Sequence, residues 1–163
     1  MSPGEALLQL YGVEKGRVSI ASFVFAQEDV DLTIEHPISI VISDGIHTEG
    51  KPHPRLYGTF PKFIKEYGIE RSLGLEEAVK KVTSAPARQA RLADRGSIVE
   101  GHWADITVFD PTKIKDTATY ENPVNCAQGI EYVLINGSVV LKDGQLDPGI
   151  RGTGHILRRT AAN

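Results

Sequence analysis

The sequence predicts an α/β fold, in which helices cover a sheet that contains parallel strands. Three observations support this fold class. Ile38–Ile42 is apolar except for Ser39, as in a strand that is buried on both faces. Two amphipathic helical patterns follow between residues 59 and 82. Further on, Asn136-Gly137, a preferred pair for a tight hairpin turn, separates two apolar runs.

Size and composition exclude several classes of protein. The 163 residues suffice for one domain or slightly more. The formal net charge of −3 leaves no basic excess, which argues against nucleic acid as a partner. Cys126 is the single cysteine, so the chain has no disulfide framework or Cys-rich zinc module, and a reducing compartment is favoured. No apolar run approaches the ~20 residues that cross a membrane, and no basic signal-peptide start is present, so we expect a cytoplasmic protein.

The sequence pattern of the first 42 residues predicts a helix followed by a strand–helix–strand unit. Pro3–Tyr11 has proline near its start and glycine just after it, which is typical of a short helix. Val18–Phe25 is rich in β-branched and aromatic residues and predicts a strand. Glu28–His36 has an acidic start and a proline stop and predicts a helix. With Ile38–Ile42 as the second strand, residues 18–42 are expected to form a right-handed βαβ unit.

A polar loop and three helices are predicted next. Residues 44–58 are rich in ionisable side chains, glycine and proline, which predicts a loop. A helix with Thr59 as its cap is expected after the loop, and a second helix is expected over Leu75–Val82, because both stretches have apolar residues at helical spacing. A proline-containing helix start then precedes Ala87–Leu92, which predicts a short third helix.

The pattern changes to short strands and turns after residue 96. Strands are predicted at Ser97–Val99, at Ala104–Phe109 and, on both sides of the hairpin turn, within Gly129–Gly144. Asp143-Gly144 offers a second tight turn. From Asp147 onward Gly, Arg and Thr dominate, which predicts a poorly ordered tail.

Asp44 is the first candidate for chemistry, because it directly follows the predicted strand Ile38–Ile42. Ligands bind at the carboxyl ends of parallel strands, where the connecting loops meet. A carboxylate at that position suits a general base or a metal ligand. The alternative is that Asp44 only caps a turn with Gly45, as Asp-Gly pairs often do. The residues alone leave both interpretations open.

The loop holds further candidates, each with an alternative. His47 and His53 could join Asp44 around zinc, but their spacing is not that of a helical pair, and loop histidines are more often solvated or bonded to the backbone. Arg55 suits bidentate binding of a substrate carboxylate, and its alternative is a surface salt bridge, for example to Glu49. No role is assigned to the other histidines or to the cysteine: His36, His102, His155 and Cys126.

Five stretches in one order carry a more specific signal than any single motif. They are, in chain order, Ile42–Gly45, His53–Pro61, Leu75–Ala87, Asp94–Asp110 and Ile130–Gly144. Together they resemble the C-terminal part of the D-aminoacylases, which are N-acyl-D-amino-acid deacylases of the amidohydrolase superfamily. The resemblance extends over roughly residues 5 to 145.

This resemblance implies a fold and an activity. Residues 1–93 correspond to the C-terminal end of a (β/α)₈ barrel, 94–146 to part of a small β-sandwich, and 147–163 to a flexible tail. Members are zinc hydrolases in which metal-activated water attacks the amide carbonyl of an N-acyl-D-amino acid. By this resemblance Asp44 is the general acid/base that takes a proton from the water and delivers it to the leaving amine. Arg55 matches the arginine that holds the substrate's α-carboxylate.

The chain also departs from the family pattern. A complete barrel takes ~250 residues and eight strands, so the resemblance implies that the zinc ligands lie upstream, and none has a matching position here. Strands at Val18–Phe25 and Ile38–Ile42 would present an open apolar edge, which predicts that a partner chain or another copy of this chain covers them, or that the fold is rearranged relative to the family. Two interpretations follow. Either the chain supplies Asp44 and Arg55 to a zinc site completed elsewhere and is inactive alone, or it is a non-catalytic, self-associating α/β module.

Overall fold

The computed structural model describes most of the chain, in the ranges 1–16, 18, 22, 24–47 and 50–157. The chain divides into two units, Met1–Thr33 and Ile34–Asn163. Across the described ranges, no helix is long and apolar enough to cross a membrane.

Helix α1, Pro3–Val13, confirms the helix predicted for Pro3–Tyr11 and extends it by two residues. Ser2 and Glu5 form a capping box before the first turn. The Ser2 Oγ accepts a hydrogen bond from the Glu5 N–H at 3.3 Å, and the Ser2 N–H donates to the Glu5 carboxylate at 2.7 Å. The reciprocal bonds satisfy two backbone donors that the helix leaves unpaired, which explains where α1 begins.

Helix α2, Gln27–Glu35, confirms the helix predicted for Glu28–His36. Half of the strand predicted for Val18–Phe25 lies outside the described residues, and the described half is not assigned to a strand. The strand predicted for Ile38–Ile42 is wrong, because this segment is irregular and the Ile38 side chain is 85% exposed. A strand buried on both faces needs neighbours that pair with its backbone, and no strand of the described residues lies beside this segment. The parallel βαβ unit is therefore not formed within them.

Three helices come next, namely α3 (Arg55–Phe63), α4 (Leu75–Val82) and α5 (Ser84–Gln89). A π-helical turn, Ile64–Ile69, directly continues α3. The bounds of α4 agree with the sequence prediction. By contrast, α5 begins and ends three residues before the predicted Ala87–Leu92. Proline needs no backbone donor in the first turn of a helix, so α5 begins ahead of its proline rather than after it.

Helix α3 also begins earlier than predicted. The loop expected to extend to residue 58 ends at Pro54, and Thr59 lies inside the helix instead of capping it. The Thr59 Oγ1 donates to the Arg55 carbonyl at 2.8 Å, a bond within the helix. Gly58 resembled a loop residue in the sequence, but it is buried in α3. An added Cβ there would lie 3.4 Å from the Cβ of Asp116, which is an ordinary van der Waals contact, so the packing does not require glycine at this position.

The hydrophobic core of the second unit lies around the π-helical turn and α4. Its buried members are Phe63, Ile64, Tyr67, Ala78 and Ile114. Gly68 allows the π-helical turn to approach α4, because a Cβ at this position would lie 2.9 Å from the Cβ of Ala78. Phe109 and Ile130 from the sheet pack against the same cluster. The core therefore joins the helices to the sheet and holds the C-terminal end of α3 in position.

The sheet has four antiparallel strands in the order β1-β2-β3-β4. They are β1 (Ile106–Phe109), β2 (Ile130–Ile135), β3 (Ser138–Lys142) and β4 (Gln145–Leu146). Both predicted turns are confirmed. Asn136 and Gly137 have φ angles of 49° and 83° between β2 and β3, and Asp143 and Gly144 have φ angles of 51° and 74° between β3 and β4.

One predicted strand of this region is wrong. Ser97–Val99 is not a strand, and the Ile98 side chain is 86% exposed, with no strand of the described residues beside it. The described residues form this single sheet only, so they do not contain the two packed sheets of a sandwich. Residues 147–157 form no helix or strand. They nevertheless contact the rest of the unit, since the Thr153 carbonyl accepts a hydrogen bond from the Asn136 side chain and His155 lies edge-on to Trp103.

Candidate functional site

Asp44 lies in a turn that leaves its carboxylate free for contacts with other elements. The hydrogen bond that closes the turn comes from its neighbour, because the Ser43 Oγ accepts from the Gly45 N–H at 3.2 Å. Asp44 itself has a φ of 46°, in the left-handed region that aspartate tolerates better than most residues. In this structure Ser43, and not Asp44, therefore plays the turn-capping role that the sequence left open for Asp44.

Gly45 brings this turn against the start of α3. A Cβ on Gly45 would lie 2.9 Å from the Cα of Leu56 and 2.8 Å from its Cδ1. A side chain would therefore force the loop away from the helix. The absence of a side chain at Gly45 allows Asp44 to lie beside the residue that precedes Leu56, which is Arg55.

Asp44 and Arg55 form an ion pair, with 2.9 Å between the Asp44 Oδ2 and the Arg55 Nη2. The sequence left open a salt bridge from Arg55 to Glu49, which lies outside the described residues; the observed partner of Arg55 is Asp44. The two side chains are 68% and 41% exposed respectively. An ion pair with this exposure contributes roughly 0–1 kcal/mol to stability. Both groups can therefore exchange partners at little cost, which suits a binding site better than a structural bridge.

His53 connects Arg55 to a distant loop. Its Nδ1 accepts a hydrogen bond from the Arg55 backbone N–H at 3.0 Å. Its Nε2 lies 3.1 Å from the Tyr120 hydroxyl, and the two rings meet edge to face with 5.1 Å between centroids. Burial and then the Arg55 charge lower the pKa of His53 from its ordinary value of 6.5, and Asp44 opposes this shift. These effects favour the neutral imidazole.

A groove with a volume of about 300 Å³ opens along these residues. It lies between the first turns of α3 and residues 116–121. Arg55 and Lys62 bring positive charge to it, and Asp116 and Glu121 bring negative charge. This volume is at the lower end for small-molecule sites. The groove can therefore receive a small zwitterionic or carboxylate-bearing ligand next to Arg55.

The described residues do not fit a metal centre by themselves. Throughout them, no three His, Cys, Asp or Glu side chains come together as a metal would require. His47 is exposed, and both ring nitrogens of His53 already have partners. The structure thus does not bring Asp44, His47 and His53 together as a zinc site.

Sequence reasoning missed two residues that support this region. Tyr120 lies 67 positions from His53, and no local pattern indicates their contact. Lys81 is 1% exposed, and its Nζ donates to the carbonyls of His36 at 2.6 Å and Ser39 at 3.0 Å. A weak signal for Lys81 existed, because it lies three residues after Ala78 and so at the border of the apolar face of α4. Lys81 holds the segment that leads to Asp44.

Comparisons with known proteins give a consistent result. A model of the amidohydrolase family matches residues 4–141. Over 141 residues the chain is 42% identical to an N-acyl-D-glutamate deacylase of Alcaligenes xylosoxydans xylosoxydans, a match that covers 86% of this chain and 28% of that protein. A D-aminoacylase from the same organism is 41% identical over 143 residues, with 86% and 29% covered. The chain thus spans little more than a quarter of the length of these relatives.

Solved structures agree with the sequence matches. The crystal structure of a D-aminoacylase superposes with a TM-score of 0.76 at 38% identity, covering 83% of this chain and 28% of that one. A second D-aminoacylase structure, described for its binuclear metal centre, gives a TM-score of 0.77 at 38% identity and the same coverage. An N-acyl-D-glutamate deacylase from Bordetella bronchiseptica, complexed with zinc and a phosphonate inhibitor, gives 0.68 at 40% identity, covering 71% and 25%.

Proposed function

The chain belongs to the amidohydrolase family, and on that premise we propose that it is the C-terminal portion of a metal-dependent N-acyl-D-amino-acid deacylase. In this proposal the complete enzyme hydrolyses the amide C–N bond of its substrate. Asp44 acts as general acid/base and Arg55 binds the substrate's α-carboxylate. The relatives support this substrate class, since one is named a D-aminoacylase and the other two are named deacylases of N-acyl-D-glutamate and N-acyl-D-aspartate.

The observation that carries the proposal is the exposed Asp44–Arg55 pair beside the groove. A guanidinium binds a carboxylate through two parallel hydrogen bonds. The α-carboxylate of the substrate would therefore replace Asp44 on Arg55 and release the Asp44 carboxylate. Asp44 then accepts a proton as water adds to the amide carbon and donates it to the amine nitrogen as the C–N bond breaks. The products are a carboxylic acid and a D-amino acid.

We assign metal binding to residues outside this chain. The described residues contain no cluster of three ligands, whereas one solved relative was crystallised with zinc and another is described by a binuclear metal centre. This assignment implies that the chain alone is inactive. It also fits the proposed architecture, in which residues 1–93 complete a (β/α)₈ barrel, 94–146 contribute to a β-sandwich and 147–163 form a tail. We place the enzyme in the cytoplasm, in line with the single cysteine of this chain.

A chimera tests the proposal. The chain would replace the matching 29% of the Alcaligenes D-aminoacylase, and hydrolysis of N-acetyl-D-amino acids would be measured with zinc present. We expect turnover by the chimera and none by the isolated chain. Asp44→Asn in the chimera should lower kcat by about 10²-fold or more. Arg55→Lys should mainly raise KM, because lysine lacks the planar fork. Substantial turnover by the isolated chain, or full activity of the Asp44→Asn chimera, would contradict the proposal.

A second candidate function rests on exposed apolar side chains. Ile38 and Ile42 are 85% and 67% exposed, and such a surface favours association. In this alternative the chain is a non-catalytic module that associates with copies of itself. It predicts a concentration-dependent oligomer in sedimentation velocity and a chimera that stays inactive. A monomeric chain combined with an active chimera would exclude this alternative.

A further inference from the structure

His53 supplies the missing cap of helix α3. The residue in the N-cap position is Pro54, which makes no side-chain hydrogen bond to the first turn. The first backbone donors of a helix need partners outside the helix. The His53 Nδ1 accepts the N–H of Arg55, the first residue of α3, at 3.0 Å. The imidazole therefore determines the position of the residue whose guanidinium lies beside Asp44.

This hydrogen bond selects one tautomer of the imidazole. Because the Nδ1 accepts a hydrogen bond, it carries no proton, so in the neutral ring the Nε2 carries it. The Nε2–H then donates to the Tyr120 hydroxyl at 3.1 Å. A protonated ring would have a donor at both nitrogens and would lose the bond from Arg55. The charged groups around the imidazole are Arg55 and Asp44, with Lys62, Asp116 and Glu121 along the same groove.

We propose that His53 is a positioning residue for Arg55, that Tyr120 orients its ring, and that His53 acts on substrate binding only through the backbone of Arg55. This inference rests on the proposed function in one respect, namely that Arg55 binds the substrate carboxylate. The contacts that carry it lie within the described residues: one hydrogen bond to the backbone of Arg55 and one to Tyr120. The second contact connects the start of α3 to the opposite wall of the groove.

Two substitutions of His53 separate positioning from direct contact. An asparagine side chain accepts a hydrogen bond from the N–H two residues ahead, which is the bond that His53 makes to Arg55. In the chimera, His53→Ala should raise KM for the N-acetyl-D-amino acid by about tenfold with a smaller change in kcat. His53→Asn should restore most of the lost affinity. Tyr120→Phe should raise KM less than His53→Ala, because the cap survives without the hydroxyl. His155→Ala, which removes a histidine elsewhere, should leave both constants unchanged.

A measurement on the isolated chain makes the inference independent of activity. Amide hydrogen exchange at Arg55 should accelerate in His53→Ala and return toward the original rate in His53→Asn. The ¹⁵N shifts of the imidazole should show the Nε2–H tautomer. If the chimera is inactive, the proposed function fails while these two results still decide whether His53 fixes Arg55. Unchanged exchange in His53→Ala would overturn the inference. A chimera in which His53→Asn is as impaired as His53→Ala would also overturn it, because the ring itself would then contact the substrate.

Discussion

The β2–β3 hairpin and the segment from residue 36 to 55 are held in place in different ways. Across the hairpin the strands hydrogen-bond to each other, and the two turn residues, Asn136 and Gly137, adopt the left-handed conformations that they favour. The 36–55 segment has no strand beside it among the described residues. It is held by the Lys81 amine, by a hydrogen bond from the Val41 N–H to the Lys81 carbonyl, by the Asp44–Arg55 pair and by the bond between His53 and Tyr120.

The two regions differ in how far apart along the sequence their contacting residues lie. In the hairpin, Ile135 pairs with Ser138 across the turn. In the 36–55 segment, Lys81 reaches carbonyls that lie 45 and 42 positions before it, and the imidazole of His53 contacts a residue 67 positions after it. A region fixed by its neighbours tolerates the loss of any one distant contact. A region fixed by a few long-range side chains depends on each of them, and this region contains the candidate site.

Lys81→Met should give the largest effect, because it removes two hydrogen bonds to the 36–55 segment and none from the hairpin. The substitution leaves two carbonyls without their charged donor, and we expect the free energy of unfolding to fall by about 3 kcal/mol. Urea denaturation measures this loss. The matched control is Lys80→Met, because Lys80 is half exposed and pairs with the nearby Glu77; its loss should stay below about 1 kcal/mol. Equal losses for the two lysines would remove the contrast between the regions.

Gly137→Ala tests the hairpin with a smaller expected effect. Gly137 has a φ of 83°, and no atom lies within 4 Å of an added Cβ, so the cost is conformational strain alone. We expect a loss of about 1 kcal/mol in the free energy of unfolding. Gly154→Ala is the control, since that position is equally open but has no positive φ. A cost at Gly154 as large as that at Gly137 would show that the turn conformation does not stabilise the hairpin.

Acid should affect the 36–55 segment and the edge of the sheet at β1 at different pH values, and this is the smallest expected effect. The pKa of His53 lies below its ordinary 6.5, so the fold favours the neutral ring, and its contribution to stability decreases as the pH falls below 6.5. At the end of β1, hydrogen bonds from Thr112 and Lys113 lower the pKa of Asp110 from 3.8 to about 2. The contribution of Asp110 is therefore complete above 3.8 and is lost as the pH falls through about 2. NMR titration should show disturbance around His53 first; a reversed order would contradict this assignment.

Local patterns predicted the secondary structure of the hairpin and most of the helices. Apolar spacing located α4, turn residues located the hairpin, and Pro3 with its neighbours indicated α1. The same reasoning failed at Ile38–Ile42. The composition of this segment is that of a buried strand, but burial requires a partner, and the described residues do not provide one. Composition shows that a segment is able to form a buried strand, whereas strand formation also requires a neighbouring strand for its backbone hydrogen bonds.

The sequence by itself determined the elements whose causes lie within a few residues, and it identified Asp44 and Arg55 as candidate functional residues. It did not indicate that these two side chains pair with each other. That contact depends on Gly45, whose missing side chain lets the loop approach α3. The contact between His53 and Tyr120 likewise joins residues that lie 67 positions apart. Backbone preferences act between neighbours along the chain, whereas these contacts exist only once the tertiary fold has brought distant residues together.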